Sequence, residues 1–231
     1  MVGWSIVLSV VGGLLLAAAQ WLVWEYAPVE AVMGVVQKIF YLHVPLAWWG
    51  FVCFFGVFVA SIGVLWKRSH LCHVVGGVLA EVGVVLAGLA LVTGSLWGRA
   101  AWNVWWTWDP RLTTTLVLWF IYAGYLILRA TDLGARGPAL CAVLGIVAFL
   151  DVPLVFVSAR MWRSIHPVVL GTGGGMEPEM AVALVVEGMA LGMLVAGLVL
   201  VRLRLALLDA QIRRLTMAIG AGQGQKCSVR R

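Results

Sequence analysis

Apolar residues in this chain fall into six long runs, at about 3–24, 44–66, 74–97, 113–129, 139–158 and 180–203, with short polar stretches between them. Each run has about 17–24 residues, enough for a helix to cross a ~30 Å hydrocarbon core. Strands of a membrane barrel would be shorter and would alternate in polarity. The pattern predicts an all-α integral membrane protein, a six-transmembrane-helix bundle formed by residues 1–205. A basic tail, 206–231, follows it. Gly134, Gly137 and Pro138 break the chain between the fourth and fifth runs. Pro153, two residues after Asp151, is expected to loosen the fifth helix, because proline removes an N–H donor. Gly188 and Gly192 form a GxxxG in the sixth run, a helix-packing signal. The stretch from Gly220 to Gly224 and onward is expected to lack regular structure.

Composition sharpens this picture. The 231 residues are 63% apolar and 11% charged, against about 45–50% and about 25% in soluble domains. A water-facing surface cannot be built from so little charge. Soluble, disordered and nucleic-acid-binding classes are therefore excluded despite the net charge of +6. Cys53, Cys72, Cys141 and Cys227 form no CxxC pair, so a thiol redox motif and a covalent heme attachment site are absent. Met1–Ser5 carries no basic n-region, so the first run reads as a retained span. The termini and the second and fourth loops hold eleven of the sixteen Lys and Arg residues; the other three loops hold five. The positive-inside rule then places both termini in the cytoplasm and the odd loops outside. The basic tail serves as a topology anchor, or lies on anionic headgroups as an amphipathic helix.

Candidate chemistry collects in the outer loops. The stretch Trp97–Thr113 contains Trp97, Trp102, Trp105, Trp106 and Trp108, five of the thirteen tryptophans. An interfacial belt explains one or two rings per helix end. Five in one loop also suit an outward-facing aromatic platform for a large flat ligand. His43 ends the first outer loop and His166 lies in the fifth, so one histidine flanks the tryptophan loop from each side. Two imidazoles beside an aromatic surface suit axial ligation of a porphyrin iron. Arg99, Arg111, Arg160 and Arg163 share that side; they either pair with propionates or snorkel to lipid phosphates. His70 and His73, in the second loop, have a His-x-x-His spacing, but no third firm ligand is near, and a polar turn is the ordinary reading. Glu81, Asp151 and Glu187 fall inside spans, where charge is costly and marks function, helix pairing or a subunit contact.

The run Trp97-Gly98, Trp102, Trp105-Trp106, Trp108-Asp109, Arg111-Leu112-Thr113 resembles the tryptophan-rich "WWD" signature of membrane proteins that handle heme during cytochrome c maturation. Tyr41-Leu42-His43-Val44-Pro45 and Leu91-Val92-Thr93-Gly94-Ser95 are similar to segments of one branch, the heme exporter protein C family. So are the six spans and the second outer histidine; the resemblance covers about 40–203. The lyase-type members of the superfamily are longer and have more spans. Pro110, between Asp109 and Arg111, and Pro167, after His166, depart from the pattern. The resemblance implies a bacterial inner-membrane protein with its functional loops in the periplasm. It implies heme b held transiently and without a covalent bond. His43 and His166 would be the axial ligands; Trp97, Trp102, Trp105, Trp106, Trp108, Asp109 and Arg111 would form the binding surface. A heme chaperone of the CcmE type would receive the heme, and CcmD, CcmA and CcmB would be partners. The chain has no GxxxxGK[ST], so nucleotide energy would come from elsewhere, and no nucleophile–base constellation marks it as an enzyme. The alternative is an integral b-type cytochrome exchanging electrons with quinone; it would place paired histidines within spans, and none lies at mid-span here. A structural membrane subunit with anchoring tryptophans is a further alternative.

Overall fold

Backbone N–H and C=O groups in hydrocarbon must be satisfied within the protein, which leaves helices or closed barrels. This chain adopts helices. A computed structural model describes residues 2–131, 133–162 and 176–228, and no β-strand occurs among the described residues. The helices are α1 (Val2–Glu25), α2 (Phe40–Lys67), α3 (His70–Trp102), α4 (Pro110–Ala130), α5 (Gly137–Phe149), α6 (Asp151–Met161) and α7 (Pro178–Ser228). Six helical stretches are long and apolar enough to cross a membrane, α5 and most of α6 together forming one of them. The six predicted spans are thus all present. The break between α5 and α6 falls at Leu150, where Pro153 has no N–H for the Phe149 carbonyl four residues back.

Several boundaries differ from the apolar pattern, each for a local reason. α3 continues past Trp97 to Trp102 and closes on Asn103, a left-handed C-cap whose N–H donates to the Arg99 carbonyl. α4 starts at Pro110, with the Asp109 carboxylate accepting from the Arg111 N–H. The proline that departs from the signature is thus a first-turn residue, where a missing N–H costs nothing. The turn between α2 and α3 is a left-handed Arg68 followed by the N-cap Ser69. The expectation of irregular structure from Gly220 onward is not met: α7 is helical to Ser228, across the boundary drawn at 205/206. No proline follows Pro178 to stop it, and the glycines weaken the helix without breaking it.

Helices in lipid associate through close packing and interhelical hydrogen bonds rather than through hydrophobic drive. α1 lies antiparallel along α7 in this way. A Cβ on Gly12 would sit 2.5 Å from the Leu194 backbone nitrogen, and one on Gly197 would sit 2.6 Å from that of Ser9. At one end of the pair Arg204 donates to Ser5 Oγ; towards the other, Gln20 donates to Glu187 at 2.6 Å. The GxxxG of the sixth run does something else. Gly188 has open space around it and accepts from the Trp49 indole through its carbonyl, while Gly192 clears room for the same ring. The centre of the bundle is the α2–α3–α4–α5 packing, where Phe54 stacks on Tyr122 with ring centroids 3.8 Å apart.

Two of the three acidic residues within spans find partners on other helices. Glu81 of α3 pairs with Arg202 of α7 at 2.8 Å. Glu187, fully buried, uses one oxygen for Gln20. Asp151 begins α6 at the break. The His-x-x-His turn holds no metal cluster among the described residues; His73 Nδ1 instead receives Arg129 Nη1 at 3.0 Å, joining α3 to α4.

Adjacent glycines make the α1–α7 seam testable. Gly12→Val should destabilise the detergent-solubilised protein by at least the ~1–3 kcal/mol of an overpacked core, read as a lowered midpoint of thermal unfolding. Gly13→Val, which meets nothing within 4 Å, should leave that midpoint close to wild type.

Candidate functional site

The start of α2, the end of α3 and the start of α4 meet at one end of the bundle, and this end carries the candidate chemistry. His43 belongs to the first turn of α2 rather than to the loop before it. It is held against α3. Its Nδ1 lies 3.0 Å from Thr93 Oγ1. A Cβ on Gly94 would fall 2.9 Å from its Cε1. Its ring stands edge-on to Trp97 with centroids 5.8 Å apart.

The segment leading into α2 is anchored from below. Glu30 accepts from the Val32 and Met33 amides, Gly34 turns with φ +62°, and a short 3-10 turn spans Val35–Ile39. Lys38, almost fully buried, donates to the Trp24 carbonyl at the end of α1 at 2.6 Å and lies over the Trp24 ring. Cations suit a helix C-terminus because its last carbonyls lack partners. Phe40 and Tyr41 then pack with Trp97, Ala183 and Leu184 in one apolar cluster, which fixes α2 against α3 and α7.

The five tryptophans divide by burial and orientation. Trp97 is buried, at 3% exposure, and Trp102 stacks on it at 6.1 Å. Together they form a wall beside His43. Trp105 and Trp108 are open, at 58% and 77% exposure. Trp106 meets Trp108 edge to face at 5.9 Å. The indole N–H groups of Trp97 and Trp106 and the hydroxyl of Thr113 are buried without a hydrogen-bond partner among the described residues. Ser95 ties the loop back to α3 by donating to the Trp105 carbonyl at 2.6 Å.

The charged members have local partners. Asp109 is buried at 8% exposure and caps α4. Arg111 sits in the first turn of α4, with its carbonyl taken by the Thr115 hydroxyl. Arg99 donates to the carbonyl and the side-chain oxygen of Asn103 and lies over the Trp105 ring, so it closes the end of α3. His166 and Arg163 lie outside the described residues. Ser158 near the end of α6 approaches Thr114 at the start of α4. The resemblance marks the segment containing Thr93 and Ser95 but gives neither a partner: His43 and Trp105 become their neighbours only once α2 and the loop are packed on α3.

Fold and site thus define a multi-span helical membrane protein with a histidine and a tryptophan-rich loop gathered at one end. A family model described as "Heme exporter protein C" matches residues 2–218. Heme exporter protein C of Bradyrhizobium diazoefficiens is 34% identical over 195 residues, 83% of this chain and 74% of that protein. The Escherichia coli K12 protein of the same name is 32% identical over 219 residues, 92% of this chain and 87% of its own length. That of Rhodobacter capsulatus is 33% identical over 205 residues, covering 84% of each. The chain belongs to the heme exporter protein C family.

Asp109 should be replaceable by its amide. Asp109→Ala should weaken the first turn of α4 by ~0.5–2 kcal/mol, seen as faster hydrogen exchange at the Arg111 amide. Asp109→Asn, which keeps an accepting oxygen, should restore protection.

Proposed function

We propose that the His43 end of the bundle faces the periplasm, holds heme b transiently, and presents it to a CcmE-type heme chaperone for cytochrome c maturation. The observation that carries this reading is the His43 imidazole set against the Trp97–Trp102 wall, with Trp105 and Trp108 exposed beside it. Family membership supports it: the relatives are named heme exporter proteins.

The residues suit the ligand. A porphyrin needs an axial donor to iron, a flat apolar surface, and polar groups at its rim. His43 supplies an imidazole, the commonest kind of such donor. Trp97 and Trp102 supply apolar surface, and aromatic rings gain both area and quadrupole contacts on a flat ligand. The buried N–H groups of Trp97 and Trp106 and the Thr113 hydroxyl have hydrogen-bonding capacity to spare among the described residues, which an acceptor-bearing ligand would use. His166, between α6 and α7 in the chain, is the proposed second axial ligand. Arg111 is the proposed partner for a propionate. The exposed Trp105 and Trp108 are the surface on which an acceptor protein docks.

In this reading the chain holds and hands over its cargo and carries out no chemistry of its own. Iron ligation keeps the heme oriented; the apolar wall keeps it from lipid and water; the open rim leaves an edge for the acceptor. CcmD, CcmA and CcmB are the proposed partners, the last two supplying nucleotide energy. The proposed location is the bacterial inner membrane, with both termini in the cytoplasm as the Lys and Arg distribution requires.

The test is an absorption spectrum of the detergent-purified protein, oxidised and reduced, with and without co-expressed apo chaperone. A low-spin heme that the chaperone depletes or traps is expected, and His43→Ala or His166→Ala should each lower heme retention. Wild-type spectra and delivery in both variants would remove the axial assignment. Heme that stays in place and cycles with quinol would instead establish a b-type cytochrome.

A further inference from the structure

Packing against α3 fixes the His43 ring from three directions within about one helical turn. Thr93 reaches Nδ1, the Gly94 backbone leaves a notch at Cε1, and Trp97 borders the ring edge. The hydrogen-bond direction depends on where the hydroxyl proton goes. The Thr93 hydroxyl has a single proton, and its oxygen lies 2.8 Å from the Leu89 carbonyl and 3.1 Å from that of Ala90, one turn back in the same helix. Both carbonyls can accept the hydroxyl proton, which would then stay within the helix. With the proton there, the hydroxyl oxygen accepts and the proton shared with His43 is carried by Nδ1. In a neutral imidazole that places the lone pair on Nε2.

We propose that Thr93 is a positioning residue for His43: it holds Nδ1 in the protonated form, keeps Nε2 as the donor nitrogen for iron, and with Gly94 sets the angle of the ring. The proposal rests on His43 being an axial ligand, as argued above. Partners behind a metal-binding histidine fix its tautomer and raise its basicity, and their loss typically lowers metal affinity by ~10–100-fold. Here the partner is a helical hydroxyl, itself oriented by the helix. The arrangement is built by the packing of α2 on α3. The same turn of α3 also carries Ser95, which holds the Trp105 carbonyl. One stretch, Thr93–Trp97, thereby sets both the imidazole and the aromatic loop.

The experiment uses the full chain in detergent, freed of heme and titrated with hemin. Thr93→Val removes the hydroxyl at nearly constant shape; Thr93→Ser keeps it. Gly94→Ala fills the notch. His43→Ala serves as the reference. Thr93→Val should weaken hemin binding ~10-fold or more and shift the bound iron towards high spin, at unchanged protein yield and melting temperature. Thr93→Ser should bind as wild type, and Gly94→Ala should alter the spin state. In heme-free protein labelled with 15N-histidine, His43 should show a protonated Nδ1 that is lost or averaged in Thr93→Val. If His43→Ala loses the low-spin signal while Thr93→Val keeps wild-type affinity and spin state, the positioning role is wrong and the axial ligand stands. If His43→Ala itself changes nothing, the axial reading falls first. If Thr93→Val does not fold, a Thr93→Ser chain as impaired as His43→Ala, or a Gly94→Ala chain with a wild-type spectrum, overturns the proposal; the opposite results sustain it.

Discussion

Lipid offers no hydrogen-bond partner to a backbone, and the architecture follows from that deprivation. Each crossing must be a helix, and apart from the break at Leu150 the described irregular chain lies at the two ends of the bundle. Chemistry that needs loops and turns is therefore confined there too. The same medium removes the hydrophobic drive for helices to pack on one another. Association must come from backbone proximity and from polar groups satisfied across helices. Gly12 and Gly197 bring α1 and α7 to near backbone contact. Gln20 with Glu187, Arg202 with Glu81, and the Trp119 indole with the Val84 carbonyl then join helix to helix.

These joints also position the site. α2 and α3 run side by side through the bundle, and their contact at one end sets His43 on the Thr93–Gly94 turn. Lys38 fastens the approach to α2 onto the end of α1, and the Asn103 and Asp109 caps fix where α3 stops and α4 begins. The seven residues from Asn103 to Asp109 are a short bridge between two capped helices, tied down at Trp105 by Ser95. The aromatic surface is thus carried on a stiff frame. In the proposed function this frame sets the orientation of a flat ligand, and the exposed rim of Trp105 and Trp108 is left open to a partner.

The signature residues have structural work besides their proposed role in ligand binding. Asp109 and Pro110 start a helix, one as cap and one as a first-turn residue without an N–H to leave unsatisfied. Arg99 closes the preceding helix. Trp97 is a core residue as much as a proposed site residue, packed with Phe40 and Tyr41 while it borders His43. A motif read only as a ligand platform misses that several of its members shape the backbone on which the platform stands.

The six spans, the grouping of histidine and tryptophan at one end, and the loosening before Pro153 were legible in the chain itself. They arise from local physics: apolar run length against bilayer thickness, the charge of short loops, and a missing proline N–H. The tertiary structure decided what depends on residues distant in the chain. Helix ends moved because caps and neighbours settle them, as at Asn103 and Asp109. Gly188 and Gly192 served Trp49 instead of a helix seam, and the seam formed at Gly12 and Gly197. Glu81 and Glu187 found their partners on other helices. Thr93 became the neighbour of His43 across fifty positions of sequence. Periodicity and composition describe one helix at a time. Which side chain faces which across two helices is fixed by their packing, and that relation decides how His43 is held.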